Sequence, residues 1–315
     1  MTRFSIDSVK IEDDGDTAVT MRLLNSFRHT TGIQTTGPDT GNPYVEQKYV
    51  TTRAEEFAFE STALETLLDT ISLLTGKCVV DGATEVGLEF YGQAHDPCGT
   101  NGRTTGSTNL KKLCEHSHLL ITNLQASVGQ DATASVRAIC LSDDGSNAPT
   151  STVYNAALPS SPITDEVFTL YPPTIAGTTL AAGSVQSVSL DTGIDVRVIQ
   201  AAGSIYPTEV LILKSMPTIR IVTEDISTIE AAIGLSGTSC ALANSNLYFQ
   251  KRQTDGGLIA VGSSEHVKIT YEGFAYINEN FNASGHNVGT MEVVIECTEP
   301  TSGTCLTVTT DSAIT

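Results

Sequence analysis

The sequence predicts a mainly β protein made of two similar β-sandwich or barrel modules, each with one flanking α-helix. Three observations predict it. Thr is abundant, at 44 of 315 residues, and with Val and Ile it favours strands. Most segments alternate apolar and polar residues with the period of a half-buried strand. Two stretches, 57–78 and 219–240, align without a gap at a spacing of 162 and share one pattern, a strand followed by a helix. With 40% hydrophobic residues, the chain can bury a core rather than stay disordered.

Strand-like alternation runs through 18–24, 86–91, 185–190, 194–199, 210–214, 247–250, 266–277 and 290–297. The paired stretches begin with alternation at Phe57 and Phe59 in one copy and Ile219 and Ile221 in the other. Both then switch to helical spacing: Leu64, Leu67, Leu68 and Ile71 against Ile226, Ile229 and Ile233. Thr66, Ile71, Leu73 and Cys78 are matched by Thr228, Ile233, Leu235 and Cys240. Thr62 with Glu65 fits a capping box and Gly76 a helix end, which places the first helix over 62–75 and the second over 225–234. Downstream, 118–122 resembles 266–270, and the strand ending at Cys140 resembles the one ending at Cys297. The expected modules are 1–150 and 151–315, joined by a Pro/Ser/Ala-rich linker over 146–164. Segment 25–52 reads as a long polar loop with only a shorter counterpart near 199–208, and 92–110 as a second polar insert.

Net charge is -19, from 17 basic and 36 acidic residues spread over both halves. That excludes a protein whose main task is gripping phosphates. The N-terminus lacks an apolar signal region and no apolar run is long enough to span a bilayer, so a soluble protein made in a cytoplasm, without membrane insertion, is expected. The seven cysteines form no CxxC motif and read mainly as reduced, buried thiols. One constellation stands apart: His95-x-x-Cys98 followed by Cys114-x-His116-x-His118. Its residue types suit zinc, but its spacing fits no standard finger. Whether Cys98 and Cys114 pair, or bind a metal with His95 and His116, stays open. The acidic clusters 12–16 and 143–145 lack the spacing of a calcium loop and read as turns. No GxSxG, HExxH, P-loop or GxGxxG occurs. No catalytic, cofactor-binding or metal-binding residue is assigned, no cofactor is called for, and an enzyme is not expected.

On the strand-helix unit 57–78, the loop 25–52 before it, and the late strands 269–281 and 291–297, the chain resembles the tail tube proteins of long-tailed phages and viruses, in their duplicated form. The resemblance covers most of the chain and is one of pattern. It implies a structural virion protein assembled in a host cytoplasm. Three duplicated chains would form a homotrimeric, pseudo-hexameric ring. The rings would stack as a tube, meet other tail proteins, and let DNA pass during genome ejection without specific binding. Alternatives are another virion component (tail terminator, baseplate or decoration protein) and, behind it, a sliding-clamp-like ring. A carbohydrate-binding or hydrolytic β protein is disfavoured by the absence of Trp.

Overall fold

The computed structural model describes residues 3–13, 15, 17–36, 48–80, 87–95, 106, 108–160, 167–233, 240–253, 255–282, 289–298 and 304–314. The fold is mainly β, with large antiparallel sheets and two short helices. The first half runs β1 (Arg3–Glu12), β2 (Val19–Met21), β3 (Leu24–Thr30), β4 (Ile33–Thr36), β5 (Tyr49–Arg53), β6 (Glu56–Ser61), α1 (Leu64–Thr70), β7 (Lys77–Val79), β8 (Gly87–His95), β9 (Asn109–Cys114), β10 (His116–Ser127), β11 (Thr133–Leu141) and β12 (Thr150–Ala156). The second runs β13 (Phe168–Ile175), β14 (Thr178–Thr179), β15 (Val185–Asp191), β16 (Asp195–Ile199), β17 (Glu209–Lys214), β18 (Thr218–Thr223), α2 (Ile226–Ile233), β19 (Cys240–Lys251), β20 (His266–Asn282), β21 (Thr290–Cys297) and β22 (Leu306–Ser312).

Both halves use one topology. In the first, an outer sheet ordered β12-β9-β8-β1-β2 faces an inner set ordered β3-β6-β11-β10. In the second, β22, β20, β19, β13 and β14 pair in the same succession, and β15-β18-β21-β20 repeats the inner set. The register repeats too. Glu56–Ser61 pairs Ile139–Ala134, and Thr218–Thr223 pairs Glu296–Met291, shifts of 162 and 157 residues without exception. Continuous β20 takes the place of both β9 and β10, which Glu115 separates. By these registers the equivalent of His118 is Phe274, since His118 faces Ile139 and Phe274 faces Glu296. The sequence likeness of 118–122 to 266–270 is therefore not a structural equivalence. It arose because both runs alternate inside long strands.

The core lies between the two layers. In the first half Phe27 stacks on Phe90 at 4.3 Å, and Phe57 and Phe59 meet Phe90 edge-on at 5.0 and 5.4 Å. The equivalent positions hold Val188, Ile219, Ile221 and Leu247, all buried. The helices add their apolar faces to this core. Leu64, Leu67, Leu68 and Ile71 are buried as expected, as are Ile229 and Ile233, whereas Ile226 is only half-buried. Helix α1 is shorter than 62–75. It starts from Ala63 without a side-chain cap, ends where Ile71 turns extended, and sends Glu65 to Lys251 rather than into a capping box. Gly76 closes the turn that follows the helix, at φ +69°, with the Leu119 carbonyl where a Cβ would sit. Helix α2 has a cap absent from the sequence expectation, with the Thr228 amide donating to the Asp225 carboxylate at 3.2 Å.

Two segments differ from expectation. The expected linker contains β12, which pairs with β9 from Thr150–Cys114 to Ala156–Asn109, and residue 150 opens that strand. Pro149 and Pro159 supply the linker composition around a strand of Thr, Val and Tyr. The expected loop 25–52 contains β3, β4 and β5, while its tip at 37–47 lies outside the described residues. Strand β3 buries no residue fully and β4 is exposed throughout, so burial imposes no periodicity there.

Truncating Leu67 to Ala is expected to cost about 2–5 kcal/mol, the usual range for a fully buried Leu. Urea unfolding of the purified variant checks this, and an unchanged midpoint would remove α1 from the core.

Candidate assembly surfaces

The two halves meet through a backbone ladder. In β10, residues Asn123 to Ser127 pair antiparallel with Asp191 to Ser187 of β15, and this pairing fuses the inner sets, together with β7 and the outer strands of the second half, into one 13-stranded sheet. The ladder is extended at both ends, by Val128 N–H to the Gln186 carbonyl at 3.0 Å and by Thr192 N–H to the Thr122 carbonyl at 3.2 Å. The Thr192 hydroxyl also donates to the Ile121 carbonyl at 2.7 Å and is buried. Val188 and Leu190 lie buried on the core face of β15.

Further contacts follow from that ladder. The turn between β10 and β11 caps the start of β13: Ala132 N–H donates to the Phe168 carbonyl at 2.8 Å, and Asp131 bridges Thr169. Across the same seam Lys251 reaches Glu65 of α1 at 2.9 Å, and Thr310 of β22 donates to Asp69 of α1 at 2.7 Å. The β16–β17 arm folds back onto the first half. Arg53 N–H reaches the Ile205 carbonyl at 2.8 Å and Ser142 N–H the Pro207 carbonyl at 2.8 Å. Gly145 seats this arm, because a Cβ there would run into Ser204.

The ladder joins unlike edges: the β10 edge of one module meets the β15 edge of the other. The equivalent of β15 in the first half is β3, bulged at the same step, Leu24/Ser26 against Val185/Ser187. The equivalent of the joining part of β10 is the end of β20, bulged after Ile277 as β10 is after Ile121. Among the described strands, β3 pairs only with β6, and β20 beyond Tyr276 pairs only with β21. The described strands thus present one unpaired edge of each kind.

The inner sheet has one covered face, carrying the helices and outer strands, and one bare face. On β3, β6, β11, β15, β18 and β21 the charged groups of the bare face are Arg28, Glu56, Glu60, Arg137, Asp191, Arg220, Glu292 and Glu296. Carboxylates outnumber guanidinium groups by five to three there. Arg137 is doubly bonded to Glu56, and Arg220 bonds Glu292 at 3.1 Å.

Glu55 is a buried charge of the first half, only 1% exposed. Arg53 of β5 reaches it at 2.8 Å, His29 of β3 lies at 3.6 Å, and the Thr150 hydroxyl of β12 donates to it. Burial pushes its carboxyl up, but the nearby His29 ring, the hydrogen bond from Thr150 and the Arg53 charge outweigh burial and hold it below the ordinary value.

The described metal candidates each contact another group. Cys114 donates its thiol to the His116 carbonyl, His116 pairs with Asp143, and His118 contacts the Thr75 carbonyl at 3.1 Å. The side chain of His95 and all of Cys98 lie outside the described residues. Among the described residues no three His, Cys, Asp or Glu side chains are grouped to hold a metal. Cys114 and Cys140 are buried, and Cys297 is pushed up to about 12, first by burial and then by Cys305. Of the 12–16 cluster, Glu12 ends β1, which pairs antiparallel with β2, and residues 14 and 16 lie outside the described residues. Asp144 is held below its ordinary value, first by the Asn147 and Ser146 amides, in a loop between two strands that do not pair with each other. The second acidic cluster is thus a seat for the arm rather than a hairpin turn. The seam has a sequence signal that the strand and helix periods do not carry: Thr31-Gly32-Ile33 recurs as Thr192-Gly193-Ile194.

Compared with known protein families and with curated proteins, the chain matches none.

Replacing Glu55 by Gln removes charged hydrogen bonds and is expected to cost about 1.5–3 kcal/mol at neutral pH. Because the folded carboxyl is depressed, its contribution is fully present above the unfolded value of 4.5 and is lost as pH falls through the folded value. Melting curves should therefore converge for the two proteins below that pH. A constant gap down to about pH 3 would contradict the assignment.

Proposed function

We propose that the chain is a structural virion protein of the tail-tube type, a ring-forming subunit with no catalytic centre whose rings stack into a conduit for DNA. The observation that carries this reading is the joint inside the chain: two modules of one topology, linked head to tail through unlike edges, with one edge of each kind left open. A heterologous joint repeats until the rotation closes it. The shared topology also supports descent from a duplicated module. Three such chains supply six modules, so the expected ring is a homotrimer with pseudo-sixfold symmetry.

The layers support an inside and an outside. The covered face of the inner sheet carries the bulk and belongs at large radius, which leaves the bare face for the lumen. Its carboxylate surplus suits a passage for DNA, since a basic lining would hold phosphates and slow exit. The two exposed arms, β4–β5 and β16–β17, stand where contacts to a stacked ring or another tail protein can form. Another virion component of the same fold would differ in assembly rather than in subunit structure, so the image of the assembly decides between them.

Cryo-electron microscopy of the purified protein is expected to show closed three-chain rings with six similar lobes, and short rods of stacked rings. A closed monomer, a two-chain ring, or a channel lined by Lys and Arg would overturn the reading. A second outcome concerns the lumen. Assembled wild-type protein should not retain DNA, whereas Glu60→Lys with Glu292→Lys and Glu296→Lys should bind it in a salt-dependent way, read by filter binding at two salt concentrations. Equal retention by both would argue against a lumen on the bare face.

A further inference from the structure

Phe168 and Phe4 occupy equivalent places in the two halves: each lies at the beginning of the strand next to the β19- or β8-type strand, first in β13 and second in β1, opposite Lys251 and Ala94 respectively. Phe168 is completely buried, beneath the β10–β11 turn and beside Lys251, whose ammonium lies over its ring at 6.0 Å. Phe4 is 36% exposed at the mouth of a cleft of about 260 Å³ lined with Ile6, Phe27, Phe90 and Leu110. The difference is the cover. Phe168 is roofed by the first half of its own chain, and among the described residues no such module lies over Phe4. Thr192 and Thr31 repeat the contrast. Thr192 is 1% exposed and bonded to the Ile121 carbonyl, while Thr31 is exposed beside the open β3 edge. The carbonyl equivalent to that of Ile121 belongs to Ile277, on the open edge of β20.

From these contrasts we propose that the open β3 edge and the Phe4 cleft bind a second copy of this chain, through its β20 end, Gly289 and helix α2, in the register of the internal joint. Transferred through the equivalences, the internal pairing Asn123–Asp191 becomes Glu279 facing Thr30 of the next copy. Gly289, just ahead of β21, takes the place of Ala132 just ahead of β11, so its N–H donates to the Phe4 carbonyl. Thr31 donates to the Ile277 carbonyl. Helix α2 crosses β12 where α1 crosses β22. There the polar pair Asp69–Thr310 gives way to Ala231 and Tyr154, and Tyr154 is 68% exposed in the single chain. Small Ala231 leaves room for the Tyr154 ring, and Ser227 and Ala94 stand where Glu65 and Lys251 form their ion pair. The chain-to-chain joint is therefore less charged than the internal one and rests on burying Phe4, Ile6 and Tyr154. A second copy is the occupant because the missing cover has the shape and hydrogen-bond pattern of a module that the chain itself carries. The proposal rests on the ring-forming reading for its direction of closure, but its contacts are independent of what the ring conducts.

Engineered cysteines at directly opposed strand positions test the register, because opposed Cα atoms in antiparallel pairs come within disulfide reach. The double variant Thr30→Cys/Glu279→Cys should give covalent dimers and trimers on non-reducing gels under mild oxidation, and each single variant only monomers. Asn123→Cys/Asp191→Cys supplies the internal control, a crosslink within one chain at the same register. Tyr154→Glu and Phe4→Glu change exposed residues. Each should raise the concentration needed for assembly by at least about tenfold, with secondary structure and melting temperature kept by Tyr154→Glu. Rings on the grid without the crosslink, while the internal control forms, would overturn this joint and leave the ring standing. A specific crosslink in protein that forms no rings or rods would keep the joint and remove the tube. Undiminished assembly of Tyr154→Glu together with Phe4→Glu would overturn the cleft.

Discussion

A run of antiparallel backbone pairing between Asn123–Ser127 and Asp191–Ser187 holds the two halves in one frame, and most other contacts between them depend on it. Each such hydrogen bond contributes only about 1 kcal/mol net, so the seam also needs its buried neighbours. Val188 and Leu190 lie under it and Thr192 closes its end. Once this register is set, the start of β13 falls beneath the β10–β11 turn, α1 lies against β22, and the β16–β17 arm reaches Gly145. Gly193 serves the same frame. At φ +55° it turns the chain from the ladder into the arm, with the Met216 carbonyl where a Cβ would stand. Gly32 does the same in the first half at φ +53°, against the Ala54 carbonyl.

The halves keep topology and register while exchanging nearly all their core side chains. The aromatic group Phe27, Phe57, Phe59 and Phe90 has four aliphatic counterparts. Volume and inward direction are what the space between two layers demands, and several residue combinations satisfy both. Polar roles move in the same way. Glu55 anchors three strands of the first half, yet position 217 of the second holds Pro. Both carbonyls nevertheless accept from equivalent amides, Cys140 at 3.0 Å and Cys297 at 2.9 Å. The backbone pattern is what the two modules share, which explains why so few identities remain between them.

Assembly and passage use separate surfaces in the proposed ring. Edges, helices and the Phe4 cleft lie at the module seams, while Glu56, Glu60, Glu292 and Glu296 of the bare face lie on strands away from the β10–β15 ladder, which only Asp191 enters. Exposed strand edges are normally a liability for aggregation. Here the two open edges are of opposite kinds, so they can satisfy each other in a closed set rather than recruit strands without limit.

The strand-rich class, the two helices and the repeat were legible in the sequence because they depend on local periodicity. Phe57 and Phe59 alternate, Leu64, Leu67, Leu68 and Ile71 follow one helical face, and Cys140 and Cys297 mark strands in identical register. Strands β3, β4 and β12 were not legible, because an edge or an arm buries too little to print a period on its residues. The seam was written only faintly, in Thr31-Gly32-Ile33 and Thr192-Gly193-Ile194, where one glycine conformation is required twice. Which edge meets which edge was decided by the tertiary structure alone. The bonds of a β-ladder run between backbone groups that every residue carries, so the choice of partner rests on distant side chains that pack over and under the seam. Phe168 and Phe4 are the same residue in equivalent positions, and only the folded chain shows that one is covered and the other is not.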